Sequence, residues 1–318
     1  MPVDWGVEPA PTNAPLSDSE LLAYLSRIGL PASAARAPPD GASLRALVRA
    51  HALAIPFESY DISLRAHLSL APRAIFAKLV ERRRGGVCFE TNLLLRSALQ
   101  ALGFELRLRA ARVWMRAPAY TPHEPPAARQ HVVLLVRAAG GEVWLCDVGF
   151  GGGGPAEPLL LADGAVAAAA GDVFRTSAGD ARAGEDSWLL HGLQAGAWKL
   201  LYSFEHYSWD APRVHAADFL TVSHFVQDAR GSLFQSLRVA TKPLADGRLT
   251  LLRRELRRRG AEVLGAEAPP HVQVRALADA EAYRAAAAEG FGIELTADEA
   301  RAIWEADDGE PLPPPAHA

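Results

Sequence analysis

Two cysteines in 318 residues are too few for a disulfide framework, and neither Cys88 nor Cys146 sits in the Cys-x-x-Cys spacing that grips zinc. A chain so poor in cysteine suits a reducing compartment. No apolar run reaches the roughly 18 residues that a membrane helix requires. The N-terminus, Met-Pro-Val-Asp-Trp-Gly-Val-Glu-Pro, has neither the basic nor the apolar region of a secretory signal. Positive charge is not in excess either, since 33 Lys and Arg face 37 Asp and Glu. A protein that displaces counterions from duplex phosphates normally carries a basic surplus. His-Glu-x-x-His and other metal-ligand spacings are also missing. Together these absences argue against nucleic acid, membrane and metal as partners, and they predict a soluble, cytoplasmic protein.

What is present is an ordinary globular composition, 49% hydrophobic and 22% charged, at a length that suggests about two domains. Residues 1–16 are proline-rich and read as a flexible tail. Ser17 and Glu20 then cap a helix whose Leu21, Leu22, Tyr24, Leu25 and Ile28 recur at helical spacing. Further helices are expected over Ser43–Ala54, over Arg73–Arg83, and from Cys88 to Gly103. Short strands follow, at Leu106–Met115, His131–Val136 and Val143–Val148, the last two forming a hairpin through Ala138-Ala139-Gly140-Gly141. Trp188–Leu193, Trp198–Phe204, Ser236–Ala240 and Arg248–Glu255 continue an antiparallel sheet or barrel. Ala165–Ala170 reads as small-residue padding. The chain returns to helix at Asp279–Glu289 and at Thr296–Glu305, where Thr296 and Glu299 form a capping box.

The chemistry concentrates in Arg82-Arg83-Arg84-Gly85-Gly86-Val87-Cys88-Phe89-Glu90-Thr91-Asn92. The glycines suggest a sharp turn, and the helix begins at or just after the cysteine. A thiol there feels unpaired N–H groups and the positive end of the helix dipole, both of which favour thiolate, and the preceding arginines push the same way. The alternative is a small buried hydrophobe, the commonest state of a free cysteine. A nucleophile needs a base, and His131 opens a strand whose hairpin partner ends near Asp147. Pairing centred on Ala139 places the two directly opposite on one face. A two-residue slip leaves them diagonal neighbours, still within reach. An imidazole oriented by a carboxylate is the base half of a nucleophilic triad. His123, His206, His215 and His224 have no fixed partner and read as surface or structural. The Gly149-Phe150-Gly151-Gly152-Gly153-Gly154 loop is either a plain turn or a backbone cradle for an anion or thioester. The basic run Leu252–Arg259 reads as a solvated face, with steering of a phosphorylated ligand as the alternative.

These motifs resemble the arylamine N-acetyltransferase family. Arg84-Gly85-Gly86-Val87-Cys88-Phe89-Glu90-Thr91-Asn92 is similar to its cysteine motif, and His131-Val132-Val133-Leu134-Leu135-Val136 and Asp147-Val148-Gly149-Phe150-Gly151 to its histidine and aspartate motifs. Leu25–Leu30, His51–Glu58 and Phe291-Gly292-Ile293 also match, so the likeness spans about residues 17–305. The resemblance implies an α+β fold with a cysteine-protease-like triad arrangement. It would place a helical bundle at 17–104, an antiparallel β-barrel at 105–205 and an α/β lid at 206–306, between tails at 1–16 and 307–318. It implies a triad of Cys88, His131 and Asp147. The thiolate would take an acyl group from acetyl-CoA or another acyl-CoA, without a metal, and pass it to a small-molecule amine or hydrazine. Phe150 and Phe57 would then line the acceptor pocket, and Gly151, Gly152 and Ser223 would meet the coenzyme.

One stretch departs from the family pattern. The coenzyme-contacting segment usually reads Asn-x-x-x-Ser-Thr-x-Pro, then Ser-x-Phe. Here it is Asp218-Phe219-Leu220-Thr221-Val222-Ser223-His224-Phe225, with Ser232-Leu233-Phe234 displaced downstream. Relatives with an intact triad include amide synthases that release polyketides from an acyl carrier protein, so a carrier-bound donor is the alternative expectation. Hydrolysis by the same triad and a non-catalytic binding module are the other two.

Overall fold

Local signals start most of the helices in the computed structural model, which describes residues 14–114, 128–179, 187–205, 209, 213–229, 232–266 and 269–306. The 1–13 and 307–318 parts of the expected tails, Met115, His123 and His206 lie outside the described residues. Leu16 is already in the core, its amide donating to the Ser97 carbonyl. Helix α1 (Asp18–Arg27) begins with the expected capping box, the Ser17 amide donating to Glu20 at 2.9 Å and the Glu20 amide to Ser17 at 3.4 Å. Asp40 caps α2 (Gly41–Ala54), which stops before Pro56. After the two-residue strand β1 (Phe57–Glu58) and the short helix α3 (Tyr60–Ser63), α4 (Pro72–Phe76) runs into a π turn at Ala77–Glu81. Helix α5 (Cys88–Ala101) follows, and all but its last two residues are buried. Leu25, Leu44, Leu47, Leu95 and Leu99 join these helices into one core that reaches Val132 and Leu134 of the sheet beyond.

That sheet has eight strands: β2 (Glu105–Val113), β3 (Arg129–Arg137), β4 (Val143–Cys146), β5 (Leu159–Leu160), β6 (Val166–Ala169), β7 (Asp172–Ala178), β8 (Ser187–Gln194) and β9 (Ala197–Glu205). Every pairing is antiparallel, in the order β5-β4-β3-β2-β9-β8-β7-β6. The Thr176 hydroxyl on β7 donates back to the Leu160 and Ala162 carbonyls at 3.1 and 2.8 Å, so the sheet curls into a nearly closed barrel. Val133, Leu135, Leu145, Leu190 and Tyr202 fill it. Two expectations change here. Ala165–Ala170 is not padding, because β6 pairs along β7 from Ala169↔Asp172 to Val166↔Arg175. The β3–β4 hairpin is centred on Gly140 rather than Ala139, with Leu134 opposite Cys146 and the chain leaving the strand before Asp147. The loop Ala138–Glu142 holds five residues where the Ala139-centred register allows three between Arg137 and its partner.

The chain then forms α6 (Leu220–Asp228), α7 (Leu233–Ser236), β10 (Val239–Leu244), β11 (Gly247–Leu252), β12 (Glu255–Gly260), β13 (Val272–Ala276), α8 (Ala280–Phe291) and α9 (Ala297–Glu305). The single strand expected over Arg248–Glu255 is two, with Arg253 at φ 52° in the turn between them. Ser236 belongs to a helical turn, and its strand starts at Val239. The second sheet runs β1-β10-β11-β12-β13, so a strand from the helical region forms its edge, Phe57 opposite Thr241. Helices α8 and α9 close one face of it through Tyr283, Ala287, Phe291 and Ile303. Among the described residues, no helix is long and apolar enough to cross a membrane.

Candidate active site

Cys88 is the first residue of α5 and is 7% exposed. Two backbone contacts set its place. The Val87 amide ahead of it donates to Glu90 at 3.0 Å, the reaching-back carboxylate of a capped helix. The segment before it is pinned to β1, where the Glu58 amide donates to the Gly86 carbonyl at 3.1 Å and the Gly86 amide to the Pro56 carbonyl at 3.3 Å. Neither Gly85 nor Gly86 has a positive φ, so the pair is not required by a sharp turn. It is required by crowding: a Cβ on Gly85 would stand 2.7 Å from Glu58 Cγ, and one on Gly86 would stand 2.6 Å from a Glu90 oxygen.

The charge around the helix start also differs from expectation. Arg84 donates to Glu58 at 3.0 and 2.8 Å and to Asp61 at 2.9 Å, while Arg82 and Arg83 point to solvent. Buried Lys78 meets Asp61 at 2.8 Å and both Glu90 oxygens at 2.8 and 3.0 Å. Burial pushes the Glu90 carboxyl above its usual range against the pull of Lys78. Of the three arginines, Arg84 is thus spent on neutralising carboxylates, and the other two lie at the surface.

His131 and Asp147 are diagonal neighbours, and they bond. His131 Nε2 and Asp147 Oδ2 are 2.7 Å apart, both side chains almost wholly buried. Nε2 is thereby committed, which leaves Nδ1 as the nitrogen free for the Cys88 sulfur. Burial opposes charge on this ring, but the Asp147 carboxylate and the neighbouring Cys88 override it and push the imidazole pKa up to about 10. Burial would likewise raise Asp147, yet His131, Asn92 and the Gly149 amide hold it below the usual carboxylate range.

Asn92 is the residue that sequence reasoning passed over. It lies one helical turn beyond Cys88, on the same face, and clamps both strands of the hairpin. Its Nδ2 donates to Asp147 Oδ1 at 3.0 Å and to the Val132 carbonyl at 2.8 Å, and its Oδ1 accepts from the Val148 amide at 3.0 Å. The i, i+4 spacing from the cysteine was the available signal. Gly149 is held here too, since an added Cβ would fall 2.6 Å from Cys88 Cα and 2.8 Å from Asn92 Nδ2. Tyr202, for which the sequence holds no signal, packs on the His131 ring at 5.4 Å. Its buried hydroxyl lies beside Asp147 outside hydrogen-bonding geometry, and burial with that negative charge drives its pKa well upward.

Phe150 stands edge-on to His131, ring centres 5.3 Å apart, and 5.1 Å from Tyr202. The Phe57 ring lies against Gly151 and 5.9 Å from Phe234. Gly152 is exposed and an added Cβ there would meet nothing within 4 Å, so the glycine loop leaves open space on that side. Ser223 is buried on α6 with its hydroxyl donated to the Leu220 carbonyl at 2.8 Å, which commits that proton. Among the described residues, no group of three or more His, Cys, Asp or Glu side chains is placed to hold a metal ion. The basic run expected as a solvated face is largely paired: Arg257 with Glu255, Arg258 with Asp246, Arg259 with Asp172.

A cysteine at a helix N-terminus facing a carboxylate-oriented histidine suits chemistry at an acyl carbon. The N-acetyltransferase family model matches residues 40–300, which include all three side chains. The arylamine N-acetyltransferase of Mycolicibacterium smegmatis is 39% identical over 230 residues, 67% of this chain and 79% of that one. The structure of the Mycobacterium marinum arylamine N-acetyltransferase in complex with CoA matches with a TM-score of 0.75 at 31% identity, over 90% of this chain and 99% of that chain. An N-malonyltransferase of Gibberella moniliformis is 36% identical over 143 residues, 42% of this chain and 40% of its own length. Fold and relatives together define an acyltransferase. The chain belongs to the arylamine N-acetyltransferase family.

Proposed function

We propose that the protein transfers an acyl group, acetyl first among candidates, from a coenzyme A thioester to an arylamine, hydrazine or similar amine through an acyl-Cys88 intermediate. The observation that carries this is the Cys88–His131–Asp147 constellation with its 2.7 Å histidine–carboxylate bond. In the first half-reaction His131 holds the Cys88 proton as the sulfur attacks the thioester carbonyl. The tetrahedral intermediate collapses, the C–S bond to coenzyme A breaks, and the departing thiolate takes the proton from His131. In the second half the amine attacks acyl-Cys88, gives a proton to His131, and expels the Cys88 sulfur as the amide forms. Asp147 fixes the ring's tautomer and stabilises the imidazolium in both halves. Phe150 and Phe57 would bound the acceptor site, and the open side at Gly152, next to buried Gly151, would admit the donor. Ser223, whose hydroxyl proton goes to the Leu220 carbonyl, would meet the donor as a hydrogen-bond acceptor.

Intact mass spectrometry after mixing with acetyl-CoA and no acceptor is the test. One added acetyl group, absent in Cys88→Ala, is the expected outcome. Loading by malonyl-CoA or by an acyl pantetheine but not by acetyl-CoA would move the donor assignment. No loading by any thioester would end the proposal.

A further inference from the structure

Five of the six residues from Gly149 to Gly154 are glycine, so this segment has almost no side chains of its own to hold it and the largest backbone entropy to lose on ordering. Phe150 is its one side chain, and that ring touches His131. Something outside the loop must fix it. The residue in place to do so is Arg248 on β11, 4% exposed. Its Nη1 donates to the Gly151 carbonyl at 2.9 Å and its Nη2 to the Gly154 carbonyl at 2.7 Å. Those two glycines close a turn of their own, the Gly154 amide donating to the Gly151 carbonyl at 3.2 Å. Gly154 in turn backs onto the aromatic residue, since a Cβ on it would stand 2.7 Å from Phe150 Cβ.

The guanidinium is anchored from behind. Its Nε and Nη2 donate to Asp172 Oδ2 at 3.3 and 2.9 Å, and Arg259 binds the other oxygen of the same carboxylate. Asp172 sits where the barrel and the second sheet are pressed together. A Cβ on Gly171 would stand 2.7 Å from Gly247 Cα, and the Glu262 amide donates to the Gly171 carbonyl at 2.8 Å. The turn is therefore clasped between a post built from both sheets and the ring over His131.

We infer that Arg248 is a positioning residue for the acceptor side of the site: by bridging the Gly151 and Gly154 carbonyls it sets where Phe150 stands. The kinetic half of this inference rests on the acyl-transfer proposal above, and the structural half does not. The bridge needs the planar fork of arginine, which reaches two carbonyls and a carboxylate at once; a lysine ammonium keeps the charge but not that geometry.

Four measurements on Arg248→Met and Arg248→Lys decide it. Hydrogen exchange of the 149–156 backbone should quicken at least tenfold in both variants while β3 and β8 stay as in the wild type. The KM for an arylamine should rise at least tenfold in both. Alkylation of Cys88 by iodoacetamide should stay within twofold, because Asn92 and Asp147 hold the histidine independently. In Arg248→Lys the urea midpoint should return most of the way to wild type while KM stays high. A merely structural arginine would instead have KM recover in step with stability, and that result overturns the inference, as does unchanged exchange in the turn. Should Arg248→Met not fold, Arg248→Lys and Asp172→Asn carry the same comparison, with Asp172→Asn expected to show the weaker form of both effects. Should wild-type protein accept no acyl group, the function proposal fails, and the exchange measurement still judges Arg248.

Discussion

Two buried charge clusters flank the candidate site, and they are built differently. Beneath Cys88, Glu58, Asp61 and Glu90 surround Lys78 and Arg84, all within a stretch of 33 residues, and every link runs from side chain to side chain or to the amides of Val87 and Tyr60. Beneath the glycine turn, Arg248 and Arg259 share Asp172, and the links that reach the site end on backbone carbonyls 97 and 94 residues away. The first cluster holds the end of a helix that packing on all sides would hold anyway. The second holds a segment that, Phe150 aside, has no side chains of its own to hold it. Disturbing the first should therefore appear in stability, and disturbing the second in substrate binding.

The largest effect is expected at Lys78. Lys78→Met leaves Glu90 buried without its cation, while Asp61 keeps Arg84, a loss of about 3–5 kcal/mol of folding free energy for one broken buried pair. Urea denaturation measures it. Adding Glu90→Gln should restore part of the loss, since the amide oxygen still accepts from Val87 while the uncompensated charge is gone. A single variant as stable as wild type would mean that the cluster is not dry, and the contrast with Arg248 would then lose its basis.

The same division marks what the sequence could reveal. Features that depend on near neighbours were legible: the Ser17–Glu20 and Thr296–Glu299 caps, the helix start at Cys88, the hairpin that brings His131 to Asp147. The hairpin register was off by two residues, yet the pair survives because an even slip keeps both side chains on one face. Features that depend on distant chain were not legible. Val166-Ala167-Ala168-Ala169 has little strand character of its own and becomes β6 by pairing with β7. Arg82-Arg83-Arg84 looked like a positive field because Glu58 and Asp61 lie more than 20 residues upstream. Arg248 opens a strand in the sequence reading with no partner in view, and only the fold brings it to Gly151.

A middle-sized effect separates the histidine from both clusters. The imidazole is held near pKa 10 by Asp147 and, to a lesser degree, Cys88, against about 6.5 for an unperturbed histidine. A group whose pKa is raised by folding stabilises the fold below its unfolded value and loses that contribution as pH climbs through the folded one. The ion pair should thus be fully effective near pH 6 and fade toward pH 10. Measured in a Cys88→Ala background, which removes the thiol's own titration and its share of the upward shift, the urea midpoint should fall as pH climbs above 6.5 and level off before pH 10. Adding Asp147→Asn should flatten that fall. Equal slopes in the two backgrounds would detach Asp147 from the protonation of His131.

The smallest effect is expected at Tyr202, and it sharpens the comparison from the barrel side. Its ring is fully buried against His131, Phe150 and Phe204, while its hydroxyl has no hydrogen-bond partner among the described residues. A buried polar group without a partner costs free energy, so removing it should not destabilise the fold. Tyr202→Phe keeps the ring contacts and should unfold at the wild-type urea midpoint or slightly above it, with the arylamine KM unchanged, because the turn clasped by Arg248 keeps Phe150 in place. A loss of more than about 1 kcal/mol, the worth of an ordinary hydrogen bond, would mean that the hydroxyl donates to Asp147 in solution. Tyr202 would then join Asn92 among the groups that orient the carboxylate, and the barrel wall would do for Asp147 what the Lys78 cluster does for the start of α5.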